Sequence, residues 1–309
     1  MRFLDGMIII VLFVLVGLAS YVLWINFPDE PLKFEDFKFN RAATIDIPVN
    51  NKVQFYSNMR YKDRKISYDI SNSCDSSRRN DAIRAFSVIS EETVLQFYEA
   101  NSESEIKILC SDIAPRPEEA GHFVAGEGGP SEIINTTNYA VILSGKISLF
   151  RKNDCPNPNI AIHEILHALG FDHNDNQKSV MYPLTECDQS IDDYIVEEIN
   201  KLYKADSLPD LAIESVIANK TGRYLNFEID IINLGLENSE SSELYIYTEE
   251  ILVKSFDLEL MEIGTRKTLT VHNLAIPRKA ESLSFEIKTT EGESDKNNNI
   301  VNLKLVKSE

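Results

Sequence analysis

The sequence has 309 residues, of which 43% are hydrophobic and 26% are charged. This composition is typical of a globular protein of about two domains, and it excludes a collagen-like, coiled-coil or mainly disordered chain. Because 49 acidic residues outnumber 31 basic ones, the net charge is −18. We expect no nucleic acid partner, since phosphate binding needs clustered positive charge.

The first predicted element is an apolar segment long enough to cross a membrane. Residues 7–27 carry no charge, and as a helix they span a hydrocarbon core of about 30 Å. Tyr21 and Trp24 lie near its far end, where aromatic rings favour the headgroup level. We therefore predict an uncleaved signal anchor, a transmembrane helix over residues 1–27, with the rest of the chain on the extracellular face of the cell membrane.

The alternative is a cleaved signal peptide, which would make the remainder a secreted protein. Residues 17–19 offer a cleavage site with small residues. The apolar run continues past this site, however, and the apolar region of a signal peptide is usually shorter. Both interpretations place the rest of the chain outside the cell.

The middle of the chain predicts a stalk followed by a mixed domain. Residues 28–52 show no clear hydrophobic period and predict a membrane-proximal stalk that ends by packing on the next domain. Residues 53–204 then predict an α+β (α/β) domain with strands at 66–70, 94–98, 105–110 and 139–150, helices at 77–90, 159–169 and 190–203, and a glycine-rich loop or bulged edge at 121–130. Ser76 or Ser77 is the predicted N-cap of the first of these helices, and Ser190 that of the last.

Short alternating runs over residues 205–309 predict an all-β domain. They lie at 211–216, 224–232, 244–247, 265–271, 283–289 and 300–305. Strands at about ten-residue spacing with turn residues between them are typical of a β-sandwich.

The stretch HEILHALGFDH predicts a catalytic metal site. His163 and His167 project from one helix face a turn apart, and two imidazoles fill two corners of a tetrahedral Zn²⁺ site. Gly170 allows a positive φ that ends the helix sharply, so that His173 can return as the third ligand. A fourth position left open for water is typical of a single catalytic zinc ion. Glu164 is placed to accept a proton from that water.

The full motif is far more specific than its first half. An HExxH pattern alone can be an accident on an amphipathic helix. The added glycine and third histidine make the full pattern rarer by on the order of 10³ at this composition, and three of the five histidines fall in this one stretch. We therefore predict zinc binding.

HExxHxxGxxH followed by a methionine turn resembles the metzincin signature. The sequence from Ser179 to Pro183, SVMYP, is similar to the Met-turn of the matrixin branch. The resemblance implies a zinc metallopeptidase with a mixed twisted sheet and a zinc helix over residues 53–204. It also implies that Met181 forms an apolar base under the metal, and that Tyr182 and Pro183 wall the S1′ pocket.

Two features depart from the animal matrixins. No cysteine precedes Cys74, so we expect no propeptide cysteine switch, and five histidines are too few for a second, structural zinc site. His122 lies in AGHFVAGEGG, which takes about the place of the family's substrate-binding edge strand, and we interpret it as structural.

The C-terminal part resembles a CARDB-type immunoglobulin-like module through the segments PDLAIESV, FEIDIINLG and DKNNNIVNL. The resemblance implies a β-sandwich with a role in adhesion or spacing. The alternative is a domain that only stabilises its neighbour.

All four cysteines, Cys74, Cys110, Cys155 and Cys187, lie in the predicted peptidase domain. An exported chain meets oxidising conditions, so we expect pairing, for which four cysteines allow three connectivities. We favour Cys74–Cys110, because Cys110 ends a strand expected to return beside the start of the first domain helix. We favour Cys155–Cys187 because the two flank the zinc helix and the Met-turn.

Together these patterns predict a membrane-anchored extracellular zinc endopeptidase that acts on protein or peptide substrates. Zinc held by His163, His167 and His173 polarises the scissile carbonyl, and Glu164 takes the proton from zinc-activated water and passes it to the leaving amine. The alternative is a surface adhesion or binding protein whose zinc domain is vestigial or structural. The intact Glu164 argues against this alternative, because a decayed site usually loses its base first.

Overall fold

The computed structural model describes residues 2–26, 31–39, 53–100, 103–116, 123–290 and 292–306. The chain begins with helix α1 (Arg2–Asn26), followed by the short strands β1 (Leu32–Lys33) and β2 (Phe37–Lys38). Within α1, the segment Gly6–Leu23 has a mean hydropathy of 2.7, and none of it is buried against the rest of the protein. A helix of this length and composition can serve as a membrane span or as a signal sequence. Phe27 and the side chain of Trp24 lie outside the described part.

An α/β domain occupies the middle of the chain. Its strands are β3 (Met59–Tyr61), β4 (Lys65–Ile70), β5 (Gln96–Glu99), β6 (Ile106–Cys110), β7 (Gly126–Asn135) and β8 (Ala140–Leu149). Its helices are α2 (Ser76–Glu92), α3 (Asn159–Ala168) and α4 (Asp193–Leu202). Apolar side chains of α2 and α3 share one core with alternate strand residues such as Ile106, Ile108 and Ile147, which are at most 1% exposed.

The six strands form one mixed sheet. Strands β3, β8, β6, β4 and β5 lie in that order with parallel pairing, and β7 pairs antiparallel with β8. Among the described strands, β7 pairs with β8 alone, and its register shifts between Pro130 and Ile133. Of the two predictions for residues 121–130, the bulged edge is therefore correct from Gly126 onward, whereas Gly121 and His122 lie outside the described residues.

Both predicted N-caps of the domain helices are wrong. Asp75, not a serine, caps α2: its carboxylate accepts hydrogen bonds from the N–H groups of Ser77 and Arg78 and also pairs with the Arg78 guanidinium. Helix α4 begins at Asp193, with Asp192 as N-cap, because the preceding residues stay extended. There Ser190 forms a β-bridge with Ser179 and its neighbour Ile191 is buried.

A two-layered β-domain follows. Its strands are β9 (Leu211–Thr221), β10 (Tyr224–Asn233), β11 (Ser242–Thr248), β12 (Ile251–Asp257), β13 (Arg266–Ala275), β14 (Ser282–Thr289) and β15 (Ile300–Lys304). One sheet has the order β1-β9-β10-β13, with β2 also on β9, and the other has the order β12-β11-β14-β15. Inward side chains such as Phe227, Ile229 and Phe285 fill the space between the layers.

The described part of the predicted stalk joins the β-domain. Strands β1 and β2 pair antiparallel with β9, with Leu32 opposite Lys220 and Phe37 opposite Val216. The end of the stalk, residues 40–52, which was predicted to pack on the next domain, lies outside the described residues. Between the two strands, Phe34 forms a β-bridge with Leu305, is 1% exposed and belongs to the core of the β-domain. The physical reason is that this site buries the Phe34 ring among apolar side chains, while the Phe34 N–H donates a hydrogen bond of 3.0 Å to the Ala218 carbonyl of β9.

The two domains are in direct contact. Val141 of β8 is fully buried in a small apolar cluster with Leu236 and Ile263, which lie in loops of the β-domain. Nearby, Lys62 Nζ lies 2.9 Å from Glu237 Oε1. The β-domain thus covers apolar surface at the start of β8.

Candidate metal centre and cleft

Helix α3 and the turn after it bring three histidines to one point. His163 and His167 lie one turn apart on α3. Gly170, with a φ of +96°, takes the chain out of the helix, where a Cβ would collide with the side chain of Met59. His173 then returns, so that the Nε2–Nε2 distances are 3.0 Å for His163–His167, 3.1 Å for His167–His173 and 3.2 Å for His163–His173.

Backbone carbonyls fix the orientation of two of these rings. Nδ1 of His163 lies 2.6 Å from the Val180 carbonyl oxygen, and Nδ1 of His167 lies 2.8 Å from that of Phe171. Because a carbonyl oxygen only accepts hydrogen bonds, each Nδ1 donates a proton and each Nε2 keeps its lone pair. Burial favours these neutral rings: it lowers the pKa of His163 to about 3 and that of His167 to about 4, and it also lowers the pKa of His173.

The cluster fits a zinc ion. Nitrogen lone pairs that converge at 3.0–3.2 Å repel one another unless a cation lies between them. Tetrahedral zinc with bonds of about 2.0–2.1 Å places its nitrogen ligands about 3.3–3.4 Å apart, and three imidazoles leave one corner open. Within the described residues, these three side chains form the one group of His, Cys, Asp or Glu that could hold a metal ion.

Glu164 lies beside the triad under strand β7. It is 5% exposed, and burial raises the pKa of its carboxyl to about 8, with a further contribution from Glu127 on β7. A Cβ on Gly126 would lie 2.6 Å from Cγ of Glu164, and one on Gly128 would lie 2.2 Å from its backbone oxygen. The edge strand approaches the helix this closely because these two positions carry no side chain.

The histidines and Glu164 line one cleft of about 990 Å³. Other lining residues come from the start of β7, from the loop before α3 and from residues 182–185. Tyr182 and Pro183, the predicted wall residues, are among them. Strand, helix and loop residues thus face the same cleft.

The Met-turn is buried and hydrogen-bonded to the loop that follows the third histidine. Met181 is fully buried, and its carbonyl accepts a hydrogen bond of 3.0 Å from the N–H of Asn174. The Asn174 side chain donates to Ser179 Oγ at 2.8 Å and to Asp192 Oδ2 at 3.3 Å. His173, the Met-turn and the start of α4 are therefore tied into one unit.

Two disulfides brace the domain. The structure joins Cys74 to Cys110, with a Cα–Cα distance of 4.7 Å, and Cys155 to Cys187, with a Cα–Cα distance of 5.1 Å. These are the pairs favoured from the sequence. The first ties the start of α2 to the end of β6, and the second ties the loop before α3 to the loop after the Met-turn.

The structure thus brings Glu164, the three histidines and the residues after Met181 to one cleft. The sequence interpretation missed the carbonyl partners Val180 and Phe171, which carry no side-chain signal. It also missed the close approach of Gly126 and Gly128. The G-x-G spacing at these two positions was a usable signal, since it places two glycines on one face of a strand.

Comparison with known families identifies a family for each of the two domains. Residues 60–204 match the family model of matrixin, and residues 208–303 match that of CARDB. The chain therefore carries a metallopeptidase domain of matrixin type followed by an all-β CARDB domain. A comparison with curated proteins found no match.

Two solved structures are similar to parts of the chain. The hatching enzyme zinc-protease of the medaka fish Oryzias latipes, high choriolytic enzyme 1, is 14% identical with a TM-score of 0.35, over 50% of this chain and 100% of that one. The CARDB domain of a Pyrococcus furiosus protein, solved in complex with di-metal ions, is 20% identical with a TM-score of 0.27, over 32% of this chain and 93% of that one.

Proposed function

We propose that the protein is a zinc endopeptidase, anchored in the cell membrane by α1, that cleaves proteins or peptides at the extracellular face. Residues 1–27 form the anchor, 28–52 the connection, 53–204 the peptidase domain and 205–309 the β-domain. The observation that carries the proposal is the convergence of three Nε2 lone pairs within 3.0–3.2 Å beside the buried Glu164 in one cleft.

The chain's own residues account for binding and proton transfer. His163, His167 and His173 would hold the zinc ion, which would supply a Lewis acid for the scissile carbonyl and the attacking water. Burial alone favours the protonated form of Glu164, but the charge of a bound zinc ion would favour its carboxylate. That carboxylate would accept the proton of the water and pass it to the nitrogen of the leaving amine. Among the described strands, β7 is paired on one side only, and its other edge would bind an extended peptide as an added strand.

Peptide cleavage with metal analysis tests the catalytic part of the proposal. We expect one zinc ion per chain, chelator-sensitive cleavage of a peptide library, and retained zinc with loss of most cleavage in Glu164→Gln. Glu197→Gln, an exposed carboxylate on α4, is the matched control and keeps the parent rate. Parent-level hydrolysis by Glu164→Gln would show that Glu164 is not the base. A parent that binds zinc but cleaves no peptide would favour the adhesion protein instead.

Membrane fractionation tests the anchor. We expect the full chain in the membrane fraction after a high-salt wash, with its N-terminal peptide still present by mass spectrometry. A soluble exported product that starts within or after α1 would mean that this helix is a cleaved signal sequence.

A further inference from the structure

The cleft wall after the Met-turn has no regular structure of its own. Residues 182–189 form neither helix nor strand, yet Tyr182, Leu184 and Thr185 line the cleft. An irregular segment of this length has no internal ladder of hydrogen bonds, so its position depends on contacts with the rest of the domain.

One such contact is covalent. Cys187 is joined to Cys155, which lies four residues before α3 and lines the same cleft. Since α3 carries two of the three histidines, the disulfide links the wall to the element that positions the metal centre. Closing this loop removes conformations that a free segment would otherwise sample.

Two buried amide side chains hold the same segment. Asn159, 1% exposed, is the first residue of α3, and its Nδ2 donates to the Glu186 carbonyl at 2.7 Å. Gln189, 2% exposed, is the last residue of the segment and folds it back on itself: Nε2 donates to the Leu184 carbonyl at 2.8 Å, and Oε1 accepts from the Glu186 N–H at 2.8 Å. Nε2 also donates to the Gln177 carbonyl at 3.2 Å, which links the segment to the chain before the Met-turn. These side-chain amides give the backbone groups of the segment the hydrogen bonds that a helix or a sheet would otherwise supply.

We propose that Asn159, Gln189 and the disulfide Cys155–Cys187 form a strap that sets the position of residues 182–187 and thereby the peptide selectivity of the cleft. The three are positioning groups, since they act through the wall and not on the reacting atoms. The inference rests on the proposed function for its effect on selectivity. The order of the wall does not depend on that function.

Hydrogen–deuterium exchange on the full-length protein tests the order of the wall. The variants are Cys155→Ser/Cys187→Ser, which removes the covalent link, and Gln189→Leu, which keeps bulk but removes the amide. Cys74→Ser/Cys110→Ser is the matched control, because it removes the disulfide whose cysteines do not line the cleft. We expect the peptide containing the Glu186 amide to exchange at least about tenfold faster in both strap variants, a loss of local protection, while zinc content stays at the parent level.

A peptide library tests selectivity with the same proteins. We expect the spread of kcat/KM among peptides that differ beside the scissile bond to shrink by about tenfold in the strap variants, the range that side-chain pockets supply. The change is expected in KM, with kcat for the best peptide kept within about threefold, because the catalytic groups stay in place. The control double variant keeps the parent spread even where its thermal stability falls.

Each outcome decides the inference. Unchanged exchange at Glu186 in both strap variants overturns the strap, and faster exchange with an unchanged spread overturns its effect on selectivity. The same loss of selectivity in the control variant would mean that general destabilisation is the cause. If the parent cleaves no peptide, the proposed function and the selectivity claim fail, and the exchange arm alone decides whether the strap orders the wall.

Discussion

Backbone carbonyls orient the rings of His163 and His167. Each gives its Nδ1 proton to a carbonyl, of Val180 and of Phe171 respectively. A hydrogen bond of this kind fixes the ring and the tautomer before the metal arrives, which raises affinity at little entropic cost. His173 lies on the loop beyond Gly170, and its position depends on the hydrogen bonds that tie this loop to the Met-turn.

We expect His173→Ala to remove most zinc binding, and Met181→Leu to have only a small effect on stability. Without His173 two protein ligands remain, and zinc affinity should fall by more than about 100-fold, beyond the effect of losing an outer-shell partner. Met181 is fully buried and lies in the apolar core, so a volume-conserving change should cost less than ~1.5 kcal/mol. The measurement is zinc stoichiometry after dialysis for the parent and each variant. Full zinc retention in His173→Ala would mean that the third ligand lies elsewhere, with His122 the first residue to test.

A methyl group at Gly128 should separate β7 from α3. Its Cβ would lie 2.2 Å from the Glu164 backbone oxygen, so Gly128→Ala should destabilise the domain by about 1–3 kcal/mol and lower peptide cleavage. Gly129→Ala is the control, because a Cβ there meets nothing within 4 Å. Thermal unfolding and cleavage rates are compared for the two variants. Equal effects would show that the close contact is not what requires glycine.

The site was predictable where side chains carry the chemistry. His163, Glu164 and His167 follow from helical spacing, and Gly170 explains how His173 returns. The partners of these residues were not predictable in the same way, since Val180 and Phe171 contribute only main-chain oxygen. The burial of Glu164 also depends on an edge strand that is distant in sequence.

At the scale of elements, helices and core strands follow their hydrophobic period closely. Helix α3 begins at the predicted residue 159, and β6 ends at the predicted Cys110. Strand β12 (Ile251–Asp257) was missed, because as an edge strand it exposes Ile251 and Leu252 and has no fully buried residue. Strands β1 and β2 were missed because two residues each give no period and their partner lies far along the chain.

Reduction should act on one domain only. Both disulfides lie in the peptidase domain and all four cysteines are paired, so reducing agent should destabilise that domain, with about 2–4 kcal/mol for each bond. The β-domain should keep its stability. Exchange-monitored unfolding with and without reductant, each domain followed by its own peptides, gives the comparison. The idea fails if unreduced peptides of the exported protein show four free thiols by mass spectrometry.

At the scale of the whole molecule, the peptidase domain is inserted, along the sequence, between two parts of the β-domain. The chain contributes β1, Phe34 and β2 to the sandwich, leaves to form the peptidase domain, and returns at β9. The match to CARDB begins only at residue 208. The segment around Phe34 is therefore an addition to that domain from the other end of the chain.

Phe34→Ala should destabilise the β-domain rather than the peptidase domain. Phe34 is 1% exposed in the β-domain core, and removing a buried phenyl ring costs about 3–5 kcal/mol. Leu32→Ala, on the same strand segment but 38% exposed, is the control and should cost far less. Domain-resolved unfolding by hydrogen exchange reports each value. A shift confined to the peptidase domain would contradict the strand pairing.

This insertion bears on how the proposed enzyme could be shed from a membrane. A single cut within residues 40–52 breaks the chain between α1 and the peptidase domain, yet residues 31–39 remain hydrogen-bonded to β9 and bridged to Leu305. The β-domain stays covalently joined to the peptidase domain through residues 205–210. After such a cut, release would need a second cut, or unfolding of the sandwich, whereas one cut between α1 and β1, within residues 27–30, would free both domains together.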